Sequence, residues 1–579
     1  MTNKSKQLTG YPSIDKPWLK YYSESERTVE LPHCSIYQLI HDRNKERLDE
    51  VALLYFGKKI SFKKLFDETE KVAKALVNLG VKKNDVINLL TASVPEAVYL
   101  VLACSRLGVL ANFINPLFSK NQIIDRINDT DSPYLFVLDN LYPLVTGITE
   151  QSCIKKIVVI PVSESMPIMT KVFAFLKTST ILSNSIKWKQ FISEGIGNSF
   201  EETEYIEGTP VVMVYSSGTT GASKGIVLTN EGIVATCVME RYSLSSLIEA
   251  SFLAIIPIWF STGISLSILA PLANGATVIL EPQYSEENFV KDILKWKPKG
   301  ILGTASLWEY ALSPLSKSDL SFIKCAISGG EPISPDFEMR LNQMLKDRGC
   351  DCSLIKGYGQ CEVGGTATLS KDNDRDPVYG DVGIPLSQVC VSTFDMDTGE
   401  EKKIGELGEI RVLSPARMKE YFKRPEETKK KFQKDSAGRI WVCTGDAGLV
   451  RNDGRIVVMG RINDSFISKT GKRVFLFHIK NAILENQYVK RCEVVKMDDS
   501  EGGLLAAHVV LAEDVNVETA INDIHKKCVE RLDCEEIPEA YKVRDSFNLN
   551  STSGKIDVEA LKHDKTELIF ATKCSAVNN

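Results

Sequence analysis

The 579-residue sequence has no histidine between residues 42 and 477. Its six histidines are at positions 33, 41, 478, 508, 525 and 563. Histidine titrates close to neutral pH and is the side chain most often used as a general acid or base. Histidine-dependent catalysis is therefore excluded from the long central block.

The 14 cysteines form no recognisable metal-binding or redox motif. The nearest pair, Cys350 and Cys352, is separated by one residue rather than two, and neither a zinc-finger spacing nor H-E-x-x-H occurs. The first six residues also lack the apolar stretch of a secretory signal. We therefore expect reduced thiols, no structural zinc and a cytoplasmic location.

The chain has no excess of positive charge that would indicate a nucleic-acid or membrane-surface partner. Lys and Arg total 70 against 75 Asp and Glu, which gives a formal net charge of -5. No overall attraction to a polyanion follows from this balance, so any polyanionic ligand must be bound by a local group of residues. We expect no nucleic acid among the partners.

One uncharged stretch, Ser251–Leu280, is long enough to cross a bilayer. It is interrupted by Pro257, Gly263 and Pro271 and divides into short apolar runs. Parallel strands covered on both faces have this appearance. The pattern favours buried strands around a helix, and we expect no transmembrane segment.

The length exceeds what one hydrophobic core usually organises, so two or three domains are expected. Helical spacing and short apolar runs alternate from Ile60 onward, with a helix over Ser61–Leu79, a strand over Asp85–Leu90 and a helix over Glu96–Leu107. The alternation recurs as far as Ile327. It predicts an α/β fold with two doubly wound, mostly parallel sheets in a large N-terminal domain.

Beyond about Asp376 the strands are short and the glycines and prolines closely spaced, which predicts a small antiparallel β-barrel-like unit. From about Ile462 strands and helices alternate again in a segment small enough to be a separate α+β lobe. Between these parts, Lys429–Lys431 follow Glu426 and Glu427. This charge pattern predicts a solvated helix face.

The most informative segment is an apolar strand, Val211–Tyr215, followed by hydroxyls and glycines that end at Lys224. Glycines allow backbone N–H groups to approach an anion, hydroxyls add donors, and lysine adds a positive charge, so the segment predicts a phosphate-binding loop. A Walker P-loop is disfavoured because every Gly-Lys pair is followed by Lys, Arg or Ile. A flexible linker fits poorly because Ile226–Leu228 is apolar again.

This loop resembles the signature of the adenylate-forming superfamily, the AMP-dependent synthetases and ligases that include acyl-CoA synthetases, luciferases and peptide-synthetase adenylation domains. Further matches follow in the family's order, at Gly329–Pro332, Gly357–Glu362, Thr444–Asp446, Gly460–Asp464 and Ser553–Ile556. Each motif alone is weak. Their common order over about residues 50 to 562 makes the chain most similar to acyl-CoA synthetases.

The resemblance implies ATP and Mg²⁺ as cofactors and coenzyme A as co-substrate. It implies that Tyr358 stacks on adenine, that Asp446 and Arg461 bind the ribose, and that Glu362 holds the metal. The other implied nucleotide contacts are Ser216, Ser217, Gly218, Thr219, Thr220, Gly221, Lys224, Gly330, Glu331, Pro332, Gly359 and Cys361.

The catalytic residues that the resemblance implies are Lys555, Thr219, Lys224 and Glu362. A carboxylate attacking the α-phosphate of ATP brings anions together, so catalysis is charge neutralisation and positioning and needs no histidine. In the family the tail lobe then rotates about a hinge, here Asp464, which withdraws the catalytic lysine before the thiol attacks. The implied domains are an N-terminal adenylation domain, 1–461, and a mobile C-terminal domain, 462–579.

The sequence departs from the family pattern at several positions. Cys361 replaces the usual Thr with a weaker donor, and Ser223 replaces a common Pro. Past the hinge, Val474–Lys480 lacks the family's Pro and both Glu, with Leu476, His478 and Lys480 in their places. Leu549–Asn550 replaces Leu-Pro before the lysine loop. We therefore assign no coenzyme A or carrier contacts in the tail lobe.

The segment Pro257–Gly263 contains no carboxylate that could pair with an amino-acid ammonium, so an amino-acid substrate is disfavoured. Trp259 and Gly329 are the pocket candidates, and Trp259 suggests an apolar acyl or aryl acid, as in fatty acid metabolism. We expect no carrier domain, since only 18 residues follow Leu561. The expected function is conversion of a carboxylic acid to its CoA thioester through an acyl-AMP.

Two alternatives stay open at the level of sequence. One is an acyl-AMP ligase that loads a separate carrier protein instead of coenzyme A. The other, suggested by Cys361 and the altered tail lobe, is a catalytically weakened nucleotide-binding homologue.

Overall fold

The computed structural model describes residues 8–167, 185–216, 223–371, 378–468, 470–497, 503–513, 515–548 and 556–570. Among these residues no helix is both long and apolar enough to cross a membrane. No disulfide joins the cysteines of the described ranges.

The first large sheet has nine strands, and its central neighbours are parallel. In spatial order the strands are Ile384–Pro385, Thr368–Leu369, Leu354–Tyr358, Cys325–Gly329, Gly300–Gly303, Ser251–Ala254, Thr277–Leu280, Val51–Tyr55 and Lys58–Ser61. Antiparallel pairing is confined to the two ends. The carboxyl ends of the parallel strands therefore meet at one edge, where ligands bind in open α/β sheets.

The second large sheet has eight strands. In spatial order they are Glu420–Tyr421, Gly225–Thr229, Pro210–Tyr215, Leu110–Phe113, Val86–Leu90, Tyr134–Leu138, Lys156–Ile160 and Ile186–Lys187. Five neighbouring pairs are parallel. The two pairs at the Glu420 end are antiparallel, so the segment predicted to bind phosphate connects two antiparallel strands.

Helices cover these sheets and connect their parallel strands. Those of the N-terminal part are Pro12–Asp15, Glu24–Arg27, Ile36–Asn44, Phe62–Leu79, Pro95–Leu107, Lys120–Thr130, Ile148–Gln151, Trp188–Glu194, Asn230–Ser243, Ala270–Ala273, Glu286–Trp296, Ala305–Leu315, Pro335–Asp347 and Pro425–Lys431. Shorter 3-10 turns cover Pro17–Tyr21, Asp139–Val145, Ser245–Leu247 and Cys361–Val363. The predicted helix and strand boundaries near residues 61–107 are correct to within one residue.

The main hydrophobic core lies between the two large sheets. It contains side chains of both sheets, such as Leu53 and Val212, and of the intervening helices Phe62–Leu79 and Pro95–Leu107. Every residue of Pro95–Leu107 except Arg106 is buried. A helix that is apolar all round must be covered on all sides, which explains its central place.

The uncharged stretch Ser251–Leu280 forms two buried strands with helix between them, as the sequence predicts. The strands are Ser251–Ala254 and Thr277–Leu280, which pair in parallel. The connecting turns are wound as a π-helix over Thr262–Leu269 and continue as an α-helix to Ala273. π-Helical turns are rare and occur frequently at functional sites.

A third, antiparallel sheet of five strands follows the large sheets, as predicted. Its strands are Cys390–Phe394, Gly408–Leu413, Ile440–Val450, Phe432–Lys434 and Ile456–Arg461. The strand Gly408–Leu413 alternates buried and half-buried residues, which is the pattern of a sheet with one covered face.

The residues after Arg461 that the structure describes form two small sheets and three helices. The sheets pair Ser465–Ile467 with Arg473–Phe475, and Val489–Met497 with Leu504–Leu511, Ala540–Val543 and Ile569–Phe570. The helices are Leu476–Leu484, Val517–Arg531 and Val558–His563, after a 3-10 turn at Ile462–Asp464. These elements have core clusters of their own, which fits the predicted small α+β lobe.

The N-terminal lead-in packs against the antiparallel sheet and its connections. Trp18 is fully buried, and the Tyr22 hydroxyl donates a hydrogen bond to the carbonyl of Pro385 at 2.7 Å. The backbone N–H and hydroxyl of Ser13 donate to the Glu401 carboxylate at 2.9 and 2.8 Å. The lead-in is therefore part of the folded core of this region.

Candidate active site

The predicted phosphate-binding loop closes a hairpin between the strands Pro210–Tyr215 and Gly225–Thr229. Its base is fixed by two backbone N–H donors: Ser216 donates to the Lys224 carbonyl at 3.0 Å, and Lys224 donates to the Ser216 hydroxyl at 3.1 Å. The Ser223 hydroxyl donates to the Ser216 carbonyl at 2.6 Å. The described residues that follow Lys224 form the strand Gly225–Thr229, so no helix N-terminus adds to the positive charge of Lys224 there, unlike in a Walker motif.

Several residues predicted for this loop lie outside the described residues. They are Ser217, Gly218, Thr219, Thr220 and Gly221. The predicted catalytic Lys555 also lies outside them. The described flanks show that Ser216 and Lys224 are held together, and the roles of the other six residues stay predictions.

Two neighbouring parallel strands of the first sheet bring the two glycine-containing motifs together. The strand Cys325–Gly329 leads into Gly330–Pro332, and the strand Leu354–Tyr358 leads into Gly359–Glu362. Gly329 lies opposite Gly357 in the register. A β-carbon at Gly359 would be 2.2 Å from the Gly365 carbonyl oxygen, so this turn excludes any side chain.

The turn after the first of these strands is tied to a neighbouring helix. One carboxylate oxygen of Glu331 accepts hydrogen bonds from the backbone N–H and the hydroxyl of Ser306, both at 2.9 Å. Gly330 has φ = +82°, which suits glycine. Glu331 thus holds the turn in place, and its predicted contact with adenine stays a prediction, as do those of Gly330 and Pro332.

Asp446 is buried and is bound by three side chains. One carboxylate oxygen accepts from the Tyr358 hydroxyl at 2.6 Å and from the Gln360 amide at 2.8 Å. Arg461 places Nε 3.0 Å from the other oxygen, since the two residues are opposite each other in the antiparallel sheet. Tyr358, Asp446 and Arg461, which the resemblance assigns to one nucleoside, therefore form one cluster.

Tyr421 connects two predicted site residues that are far apart in sequence. Its hydroxyl donates a 2.7 Å hydrogen bond to Glu362, and its ring centroid is 4.9 Å from the Lys224 ammonium. Tyr421 occupies the edge strand that pairs with Gly225–Thr229. It therefore joins the base of the phosphate-binding loop to the predicted metal ligand.

Burial and neighbouring carboxylates keep both site tyrosines protonated. Burial, with a further contribution from Asp446, raises the pKa of Tyr358 well above its usual value. Burial and Glu362 likewise raise the pKa of Tyr421. Each hydroxyl thus remains a hydrogen-bond donor to its carboxylate at neutral pH.

The residues at Glu362 are compatible with Mg²⁺. The described part of the chain contains no group of three or more His, Cys, Asp or Glu side chains that could enclose a metal ion. Mg²⁺ is commonly held by one or two carboxylates together with substrate phosphates and water, rather than by a protein cage. A single half-buried carboxylate beside a phosphate-binding loop meets that requirement.

Two further candidates flank this cluster. Cys361, half-buried, packs against the main core. Trp259 is buried in that core, and its Nε1, like the hydroxyls of Ser261 and Ser265, has no partner among the described residues. Ser261 lies near Gly365, since a β-carbon there would be 3.7 Å from its hydroxyl. Trp259 and Gly329 remain predicted pocket residues.

The predicted hinge, Asp464, ends the 3-10 turn that follows Arg461. Burial raises the pKa of its carboxyl, and the Arg461 guanidinium opposes that effect. Phe477, in the segment that departs from the family pattern, packs on Tyr379 with ring centroids 5.1 Å apart. Lys480 pairs with Glu493 at 2.7 Å. Of the departures from the family pattern, Lys480 therefore has a charged partner in this chain.

A family profile described as AMP-binding enzyme matches residues 40–422, which is more than half of the chain. The chain belongs to this family of AMP-binding enzymes.

Curated relatives of this AMP-binding enzyme extend over most of its length. A long-chain-fatty-acid–CoA ligase of Bacillus subtilis (strain 168) is 25% identical over 577 residues, which cover 95% of this chain and 98% of the relative. An acetyl-coenzyme A synthetase of Rubrobacter xylanophilus is 25% identical over 507 residues, covering 83% of this chain and 75% of the relative. Both are named for joining an acid to coenzyme A.

Among solved structures, the anthranilate CoA ligase AuaEII in complex with anthranoyl-AMP superposes with a TM-score of 0.78 at 22% identity, covering 92% of this chain and 97% of that one. ATP-bound MatB from Rhodopseudomonas palustris gives a TM-score of 0.76 at 20% identity, covering 91% and 98%. These likenesses show that the AMP-binding enzyme has the adenylate-forming fold, as predicted.

Three residues of this site are not identified by the sequence patterns. Gln360 and Tyr421 are not singled out by any of them. Lys429, Lys430 and Lys431 are predicted to lie on a solvated helix face. For Lys431 that prediction is wrong, because its side chain points into the site and its Nζ lies 3.1 Å from the side-chain carbonyl oxygen of Gln360. The position of Gln360 inside the motif Gly357–Glu362 is a signal that could have identified it.

Proposed function

We propose that this AMP-binding enzyme is an acid–thiol ligase that activates a carboxylic acid with ATP and transfers the acyl group to coenzyme A. The observation that carries the proposal is the link from Lys224 through Tyr421 to Glu362. One aromatic side chain contacts both a cation and a carboxylate, beside the cluster at Asp446.

In the first step a carboxylate oxygen attacks the α-phosphorus of ATP and pyrophosphate leaves. Lys224 neutralises charge on the phosphates, and Asp446 and Arg461 fix the ribose, so the reacting atoms are held in line. Mg²⁺, when bound at Glu362, supplies further neutralisation of the phosphate charge. We assign Lys555 to the same step, next to the attacking carboxylate.

In the second step the thiol of coenzyme A attacks the carbonyl of the acyl-AMP, the thioester forms and AMP leaves. A mixed anhydride has a good leaving group, so this step needs positioning more than further activation. We propose that domain 462–579 moves relative to 1–461 about Asp464 between the two steps.

The segment that contains Lys555 is closed at its base. The Asp557 backbone N–H donates to the Asn548 carbonyl at 2.9 Å and so joins the two flanks of that segment.

The acid that we propose is apolar or aromatic, with Trp259 and Gly329 at its pocket, as in fatty acid metabolism. The absence of a carboxylate in Pro257–Gly263 supports this choice over an amino acid. A separate carrier protein is the alternative acceptor. We also propose a cytoplasmic location, supported by the scattered spacing of the 14 cysteines, which suits a reducing compartment.

The test is carboxylate-dependent exchange of labelled pyrophosphate into ATP, measured over a panel of fatty and aromatic acids. An active acid is then offered with free coenzyme A or with a phosphopantetheinylated carrier protein, and the thioester is quantified. We expect exchange with an apolar acid and transfer to coenzyme A. Tight ATP binding without exchange for any acid would instead favour a weakened nucleotide-binding homologue.

Lys555→Ala separates the two half-reactions. We expect it to suppress acyl-AMP formation and largely to spare thioester formation from supplied acyl-AMP, because the lysine acts only while phosphate and carboxylate meet. Equal loss of both half-reactions would contradict the proposed movement of the C-terminal domain.

A further inference from the structure

The three lysines that end the helix Pro425–Lys431 differ in their surroundings. Lys429 and Lys430 are exposed. The side chain of Lys431 is only 15% exposed. A lysine is seldom buried unless its ammonium has partners. The low exposure of Lys431 therefore indicates that its ammonium is bound by other groups of the protein.

The Lys431 ammonium faces three acceptors of the candidate active site. Nζ lies 3.1 Å from the Gln360 side-chain carbonyl, 3.5 Å from the Thr444 backbone carbonyl and 3.8 Å from a Glu362 carboxylate oxygen. An ammonium has three donors and no acceptor. The two carbonyls accept hydrogen bonds from it, and Glu362, beyond hydrogen-bond distance, forms an ion pair with it.

These contacts determine which way the Gln360 amide points. Its carbonyl oxygen faces Lys431, and its NH₂ group donates to Asp446 at 2.8 Å and to the Thr444 carbonyl at 2.9 Å. A flipped amide would set NH₂ against the ammonium and oxygen against the carboxylate. By binding the carbonyl oxygen of the Gln360 side chain, Lys431 therefore keeps the NH₂ group of that side chain turned toward Asp446, to which it donates.

We propose that Lys431 is a positioning residue for the nucleoside triphosphate, which aligns Asp446 through Gln360 and balances the charge of Glu362. This inference rests on the proposed function. The ammonium lies between the residues that hold the predicted ribose contact, Asp446, and the predicted metal ligand, Glu362. One cation therefore orders both of these contacts before ATP binds.

The test compares Lys431→Met, which keeps most of the stem and removes the charge, with Lys431→Arg and with the matched control Lys430→Met. ATP affinity is measured by calorimetry with and without Mg²⁺, together with KM for ATP, KM for the acid, kcat and the unfolding midpoint. We expect Lys431→Met to weaken ATP binding about tenfold, as for the loss of one hydrogen bond to a charged group, with KM for the acid unchanged. Lys431→Arg should recover most of the affinity.

A double-mutant cycle tests the route through Gln360. If Lys431 acts through that amide, Lys431→Met combined with Gln360→Leu should bind ATP no more weakly than the worse single variant. Additive losses would overturn this route, and unchanged ATP affinity in Lys431→Met would overturn the proposal. So would a loss that follows a lowered unfolding midpoint.

ATP binding can be measured without knowing the acid. Different results therefore refute the proposed function and the proposed role of Lys431. Wild-type protein that binds ATP but exchanges no pyrophosphate would refute the proposed function and leave Lys431 to be judged by affinity. Wild-type protein that binds no ATP would refute both.

Discussion

The hydroxyl of Tyr421 offers the sharpest test of the site, because Tyr421→Phe removes one atom and leaves the ring beside Lys224. The hydroxyl donates to the Glu362 carboxylate at 2.7 Å, and the raised pKa of the tyrosine keeps it a donor at neutral pH. A hydrogen bond to a charged group contributes about 1.5–3 kcal/mol. Its loss leaves Glu362 with the more distant ammonium of Lys431 at 3.8 Å.

We therefore expect pyrophosphate exchange to slow by about 10- to 100-fold and to need more Mg²⁺ for half-maximal rate. Thioester formation from supplied acyl-AMP should change little, because no pyrophosphate leaves in that step. Tyr310→Phe, at a partly exposed tyrosine, serves as the matched control. Wild-type exchange rate and Mg²⁺ dependence in Tyr421→Phe would refute the reasoning, whereas equal loss of both half-reactions would indicate a general structural role.

Three further outcomes follow from the contacts described. Asp446→Asn removes the charge paired with Arg461 at 3.0 Å, so KM for ATP should rise about tenfold while KM for the acid stays constant; a matching rise in both would contradict it. Gly359→Ala places a β-carbon 2.2 Å from the Gly365 carbonyl oxygen and should lower the free energy of unfolding by about 1–3 kcal/mol in denaturant titrations. Burial and Arg544 lower the pKa of His508 to about 4. As pH falls, His508 is therefore protonated in the unfolded chain at a higher pH than in the folded one, which favours unfolding. Stability should decline from pH about 6.5 to about 4, by at most about 3 kcal/mol, and His508→Gln should remove this decline.

The architecture was predictable because its signals are local. Alternating helical and strand periodicity identified both sheets, and the interruptions in Ser251–Leu280 correctly predicted buried strands around a helix. The π-helical winding of Thr262–Leu269 was not predictable, since the apolar residues there surround the helix and leave no periodic face. Tertiary packing, rather than local preference, decides such winding.

The residues of the site were predictable only where each lies within a short recognisable motif. Tyr358, Asp446 and Arg461 are recognisable from their motifs, and the structure brings them together. Lys431 is not, because three consecutive lysines have the same local chemistry and only the packing of the helix selects the one that faces inward. Tyr421 lies in a two-residue edge strand whose partner is nearly two hundred positions earlier, a distance that no local pattern spans.

The burial of Trp18 has a practical consequence for where this enzyme can be cut. The family match starts at residue 40, yet a fragment trimmed to that border would lose the fully buried Trp18. The backbone of Trp18 packs on Gly454, where a β-carbon would be 2.4 Å from the Trp18 nitrogen. The vacated space would leave apolar neighbours open to water. Shortened versions should therefore keep the residues from Gly10 onward.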